Sequence, residues 1–190
     1  MPQTTPILVL AATDRELALP GDWIAVRCGV GPVEAAAATA AAIAAHRPAA
    51  IIHVGIAGAR RAAGLVPPAL VIGGVAHYCD LTVPPQFAPR SVTPDAQLLA
   101  AARRALPNAV VMAIGTSARV GGSSDCDVEA MEGFAVLRAA QLAGVPAIEV
   151  RAISNEIEDT DRARWQFEAA FAAIVAATPT LVAEAAACVR

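Results

Sequence analysis

The chain has 190 residues, a formal charge of −3, and 56% hydrophobic residues among which Ala is by far the commonest. That length suits one ordinary domain spanning 1–190 with a full core. The acidic balance, with 14 Lys and Arg and no basic block, argues against a nucleic-acid partner, and the lack of an uncharged apolar run of about 18 residues argues against a membrane partner. The N-terminal apolar stretch is only about six residues long before it meets Asp14, Arg15 and Glu16, too short for a signal peptide, so the expected location is cytoplasmic. Cys28, Cys79, Cys126 and Cys188 lie far apart without a CxxC pair and read as buried free thiols rather than a disulfide or a zinc site.

In chain order, Ile7 to Leu10 reads as a short buried strand that runs through Ala11–Ala12–Thr13 into the charged turn Asp14–Arg15–Glu16. Glu16 suits either the first turn of a helix, where negative charge is favoured, or a carboxylate facing a ligand beyond the strand end. Trp23 to Cys28 reads as a second strand, followed by Gly29–Val30–Gly31–Pro32 and an Ala-rich helix from Val33 to Ala45. The two glycines permit close backbone approach, and Pro suits a helix start. The loop is not a dinucleotide fingerprint, because Glu34 stands where a third glycine is needed.

Ile51 to Val54 reads as a central buried strand entering a small-residue loop, Gly55–Ile56–Ala57–Gly58, with His53 as a satisfied core histidine. A Pro67–Pro68 turn precedes the strand LVIGGVA, and the Pro-rich loop LTVPPQFAPR follows it. Asp95 to Leu106 reads as a surface helix started by Thr93 or Pro94, and Val110 to Ile114 as another buried strand. A flexible loop, Gly115 to Gly122, and a short connection, Ser123 to Asp127, complete this part.

Val128 to Asn155 organises the rest. Helix formers run from Glu132 to Leu142, stop at Gly144 and break at Pro146, and an apolar strand runs from Ala147 to Ile153. Eleven helical residues cover roughly 17 Å and seven extended ones roughly 23 Å back, so the two ends meet. Glu132 is thereby expected beside Arg151, Ser154 and Asn155 on the rim where open α/β sheets bind ligands. A carboxylate beside Arg, Ser and Asn suits a polyhydroxylated ligand with hydrogen-bonding base edges; a structural Glu132–Arg151 pair is the alternative. After Asn155, acidic EIEDTD leads into a helix from Arg162, interrupted at Thr178–Pro179, with Trp165 and Phe167 as packing aromatics. About six strands alternate with helices, giving an α/β class fold, a three-layer α/β/α arrangement with a mixed central sheet.

MEG at 131–133 followed by RAISN at 151–155 resembles the closing motif of the purine nucleoside phosphorylase and methylthioadenosine nucleosidase superfamily. The fuller form VEAMEGFA…IEVRAISNEIE, followed by DRARW, is most similar to the futalosine hydrolase family within it. The resemblance implies a nucleoside phosphorylase-like fold and hydrolysis of the N-glycosidic bond of futalosine to release hypoxanthine, in menaquinone synthesis. It implies no metal or organic cofactor, a small-molecule nucleoside as partner, and a homo-oligomer, a dimer or dimer-based, in which the loop 81–90 covers a neighbour's ligand.

Carried onto this chain, the resemblance makes Glu16 the catalytic, water-binding carboxylate and Asn155 the group on the purine edge. Gly31 borders the ribose and nucleophile pocket; Ile56, Ala57 and Gly58 lie along the sugar and base. Val120, or Arg119, lines the base where related nucleosidases carry an aromatic residue. Met131 packs against the sugar, Glu132 accepts from the ribose hydroxyls, and Arg151 and Ser154 orient the base. Similar phosphorylases carry Arg at the position of His53 and a hydroxyl residue at that of Ile56, so water is the expected nucleophile here. The alternatives are a methylthioadenosine or adenosylhomocysteine nucleosidase, a purine nucleoside phosphorylase, and a non-catalytic nucleoside-binding protein.

Overall fold

The computed structural model describes residues 6–18, 21–122 and 124–189, so Ser123 of the expected 123–127 connection lies outside it. Strand β1 (Ile7–Ala11) is wholly buried and pairs in parallel with β2 (Trp23–Arg27) on one side and β3 (Ala50–Ala59) on the other. The strands β4 (Leu70–Tyr78), β5 (Ser91–Val92), β6 (Val110–Thr116), β7 (Val128–Ala130) and β8 (Ala147–Glu156) complete the sheet. Pairing runs β2-β1-β3-β7-β6-β4-β5, and β8 joins β3 in parallel to β4 antiparallel. Five strands, β3, β7, β6, β4 and β8, therefore close on one another, while β1 and β2 extend from β3 as an open wing and the short β5 pairs outside the ring with β4. Closure removes edges from the region that carries the site.

The helices α1 (Pro32–His46), α2 (Ala96–Ala105), α3 (Gly133–Leu142) and α4 (Phe167–Cys188) cover both faces. Alternation along β1 assigns the layers: Ile7 and Val9 pack with Leu98 of α2 and Ile174 and Leu181 of α4, whereas Leu8 and Leu10 pack with Ala35 of α1 and Val136 of α3. The α/β class with a mixed central sheet and three layers is what these faces build. A third apolar cluster, including Val71, Ile114, Val128 and Ile153, fills the closed ring.

Several local expectations change. Gly55 to Gly58 is not a loop: β3 runs on to Ala59, because β8 continues beside it and supplies partners for its backbone. For the same reason Gly115 and Thr116 belong to β6, paired with β4 and β7. Val110 and Val111 are 41% and 42% exposed, so the start of β6 is not buried. Among the described residues eight strands form rather than about six, since β5 and β7 are too short to leave a period in the sequence. Helix α2 is capped by Asp95, whose side chain accepts from the backbone N–H of Gln97 and Leu98, rather than by Thr93 or Pro94.

Helix α4 continues through Pro179. Its packed stripe, Ala170, Ile174, Ala177, Leu181 and Ala185, crosses the proline, and burial outweighs one missing hydrogen bond. This helix is apolar enough to cross a membrane by length and composition, but its stripe is seated on the sheet. The four cysteines are all free, and only Cys28 is fully buried.

Candidate active site

At the C-terminal ends of β3 and β8 lies a cavity of about 250 Å³, at the small end of ligand pockets. A β-bulge shapes it. The β3–β8 register pairs Ala57 with Ile153 and Gly58 with Asn155, leaving Ser154 as the extra residue. Successive side chains of a regular strand face opposite ways, so the bulge lets both Ser154 and Asn155 line the cavity. Ser154 Oγ donates to Asn155 Oδ1 at 2.8 Å, and Asn155 Nδ2 donates to the carbonyl of Glu156 at 2.9 Å, which fixes the amide's orientation.

Glu132 enters from the start of α3. It occupies the cap position, yet its side chain makes no cap hydrogen bond. Thr116 of β6 does that work instead, its Oγ1 accepting from Phe134 N–H at 2.8 Å. The freed Glu132 carboxylate accepts from Gly31 N–H at 3.1 Å and from Arg151 Nη2 at 3.3 Å. Gly31 is at φ +92°, a conformation suited to glycine, and Pro32 takes the first helical position without needing a donor. Burial raises the Glu132 pKa, and Arg151 draws it back.

Arg151, expected to orient the base together with Ser154, is only 1% exposed and stands behind the cavity wall rather than in it. Its guanidinium is spent inside the protein. Nε donates to Glu149 Oε1 at 2.7 Å, and Nη2 reaches both Glu132 and His53. Since arginine only donates, His53 Nε2 must accept, and its Nδ1–H donates to the Leu10 carbonyl at 3.1 Å. Burial, then the neighbouring Arg151 charge, lower the His53 pKa well below its usual value. His53 is thus a satisfied, neutral core histidine.

Glu16 also stands behind the wall, in contact with the backbone of its member Ile56. Glu16 Oε2 accepts from Thr13 N–H and Oγ1 at 2.8 and 2.7 Å, and Oε1 accepts from Ile56 N–H at 3.2 Å. A carboxylate offers about four acceptor positions, so one remains. Gly31 touches the site through Glu132 rather than through the wall. Burial pushes the nearby Cys28 thiol up to about 12, which makes it a poor nucleophile.

Of the other expected residues, Ile56, Ala57, Gly58, Val120 and Met131 all line the cavity. Sequence reasoning missed Glu129, whose Oε1 accepts from Ser124 N–H and Oγ and whose Oε2 accepts from Gly122 N–H, tying the 117–124 loop to β7. It also read Trp165 and Phe167 as packing residues; they pack on each other with ring centroids 5.4 Å apart, but they also form cavity wall. The DRARW motif was the available signal. A larger groove of about 840 Å³ between α1 and α3 is lined by apolar side chains apart from Tyr78 and Arg138, and holds no carboxylate, amide or imidazole.

Residues 21–189 match the family described as the phosphorylase superfamily. The futalosine hydrolase of Streptomyces coelicolor is 35% identical over 192 aligned positions, covering 86% of this chain and 80% of that protein. Among solved structures, the futalosine hydrolase of Helicobacter pylori superposes with a TM-score of 0.84 at 16% identity, covering 95% of this chain and 98% of that one. A methylthioadenosine/adenosylhomocysteine nucleosidase of Colwellia psychrerythraea, in complex with adenine, gives 0.83 at 18% identity, covering 96% of each chain. The two structural likenesses establish the fold.

Proposed function

This chain belongs to the phosphorylase superfamily, and from that premise we propose that it is a futalosine hydrolase, using water to cleave the N-glycosidic bond and release hypoxanthine. The observation that carries this reading is the convergence of the Glu132 carboxylate and the Asn155 amide on one cavity. The 35% identity to a futalosine hydrolase supports it. Glu132 keeps unused acceptor positions for ribose hydroxyls, and Asn155 offers both donor and acceptor to a purine edge.

Water is the nucleophile in this reading. The His53 ring is neutral with both nitrogens engaged, and Ile56 carries no hydroxyl, so neither position offers a phosphate dianion a charge or a donor. Glu16 orients water with its remaining acceptor position and takes the proton as the oxygen bonds to the anomeric carbon. The C–N bond to the base breaks through an oxocarbenium-like sugar, and the departing purine collects a proton. Arg151 holds Glu132 rather than substrate, and Met131 packs against the sugar. We extend the proposal to one domain across 1–190, a cytoplasmic setting, homo-oligomeric assembly, and a place in menaquinone synthesis.

Base release from futalosine, with and without inorganic phosphate and beside methylthioadenosine, tests the reading. Phosphate-independent release of hypoxanthine, with futalosine preferred, supports it. Turnover that needs phosphate, or a preference for methylthioadenosine, overturns it.

A further inference from the structure

Two thiols with no task in the chemistry above lie together outside the cavity. Cys79 follows β4 and Cys126 precedes β7, yet a side-chain hydrogen bond joins them, and the Ser124 hydroxyl bonds to both. We propose that Cys79 and Cys126 form a dithiol site that a low-molecular-weight disulfide oxidises reversibly to an intramolecular disulfide. The cross-link tethers to β4 the segment whose Arg119, Val120 and Gly121 form cavity wall.

The sheet builds the pairing. Cys79 N–H donates to the Thr116 carbonyl at 2.9 Å, extending the β4–β6 ladder one residue past Tyr78. Cys126 is held from two sides: its N–H donates to Ser124 Oγ at 3.2 Å, and its carbonyl accepts from Arg60 Nε at 3.1 Å. Beneath them β6 carries Gly115, where a Cβ would lie 2.9 Å from Cys79 Sγ and 3.3 Å from Cys126 Cβ. Only a residue without a side chain leaves the two cysteines this shared space. Residues 124–127 are neither helix nor strand, so the sulfurs can close to bonding distance without breaking a strand pair.

A reagent can reach the pair. Both cysteines are half-buried and line a cleft of about 460 Å³ with His77, Arg90 and Asp125, separate from the nucleoside cavity. Cys28 and Cys188 pack in opposite apolar layers and offer no competing partner. In the exchange, one thiolate attacks a sulfur of the small disulfide and releases the first small thiol, leaving a mixed disulfide on the protein. The second thiolate attacks the protein sulfur of that mixed disulfide and expels the second small thiol. Two electrons pass to the reagent, and both protein S–H hydrogens end on the released thiols. Burial holds both thiols above their ordinary pKa, so the pair reacts slowly near neutrality.

The cross-link reaches the cavity through Glu129. Its carboxylate accepts from Ser124 N–H and Oγ at 2.6 Å each and from Gly122 N–H at 3.0 Å, and it is itself cavity wall. Drawing Cys126 onto Cys79 therefore restrains Gly122 and Ser124 as well.

The test incubates the whole native protein with glutathione disulfide at about pH 8.5, where an ordinary thiol is half ionised, and reads the product by intact mass, thiol titration and peptide mapping. The expected product has lost two of its four thiols and about 2 Da, carries no glutathione, and yields a Cys79–Cys126 cross-linked peptide. Dithiothreitol should restore all four thiols. Cys79→Ser and Cys126→Ser should each stop at a mixed disulfide on the remaining cysteine of the pair. In the wild type, oxidation should slow amide hydrogen exchange at Gly122 and Ser124 by about 10-fold. Four unreacted thiols, a wild-type product that keeps glutathione, a cross-link to Cys28 or Cys188, or a cross-link formed only after unfolding in urea overturns the site. Unchanged exchange at Gly122 and Ser124 overturns the tether. None of these readouts involves turnover, so the hydrolase reading stands or falls separately.

Discussion

Arg151 Nη2 donates to Glu132 Oε2 at 3.3 Å with both side chains buried, and the same guanidinium donates through Nε to Glu149 at 2.7 Å. One cation therefore serves two buried carboxylates. The carboxylate at the cavity is held by a residue that does not itself line it.

Replacing Arg151 by Met should destabilise the fold by about 3–5 kcal/mol, because removing one partner leaves uncompensated buried charge. The Glu149→Gln/Arg151→Met double variant should recover part of that loss, since Glu149 Oε2 already lacks a hydrogen-bond partner and the amide carries no charge. Urea unfolding of the three proteins decides the matter; an Arg151→Met loss under 1 kcal/mol would contradict the buried network.

Glu132→Ala should weaken both binding and turnover. Hydrogen bonds from hydroxyls to a charged acceptor contribute roughly 1.5–3 kcal/mol each. The wild type should therefore prefer ribose to 2′-deoxyribose, and the variant should not. Identical preference in both proteins would remove Glu132 from sugar recognition.

Glu16→Gln should lower the hydrolysis rate by about 10²–10⁴-fold while ligand affinity changes little. The amide keeps an oxygen to accept from Ile56 N–H or from Thr13, but loses the charge that activates water. Rapid turnover by the folded variant would exclude Glu16 from the mechanism.

Asn155→Asp should shift base choice from 6-oxopurines toward 6-aminopurines. The Asn155 amide faces the Glu156 carbonyl with its N–H, and an Asp oxygen at that point is best accommodated when protonated. With that one proton committed to the carbonyl, the Asp oxygens offer only acceptor positions to the base, which suit a 6-amino group and not a 6-oxo group. The ratio of kcat/KM for futalosine to that for methylthioadenosine measures this, and an unchanged ratio would count against Asn155 as the base-reading residue.

His53 predicts the acid limit of stability. Its folded pKa is depressed by burial and by Arg151, so its contribution is present above the unfolded value near 6.5 and is lost as pH falls below it. Between pH 7.5 and 5.5 this one group should remove on the order of 1 kcal/mol from the unfolding free energy. His53→Gln, neutral throughout, should lose correspondingly less over the same interval. Parallel losses in the two proteins would show that His53 protonates freely in the folded state.

The sequence alone determined the α/β class, the order of the long strands and helices, and the meeting of Glu132 with Arg151, Ser154 and Asn155. These follow from local quantities: hydrophobic period, Gly and Pro punctuation, and the matched lengths of α3 and β8. Only the tertiary structure decided what each of those side chains does. β8 joins β3 to β4 and closes the ring, its bulge at Ser154 turns two consecutive residues to one side, and Thr116, distant in sequence, takes over the cap of α3 and frees Glu132. Arg151 was drawn inward by Glu149, two positions before it on β8, and by His53 on β3, a contact 98 residues apart in sequence that no spacing along the chain could reveal. Trp165 and Arg162 reached the cavity in the same way, through a fold that sets the segment after β8 against the loop before β7.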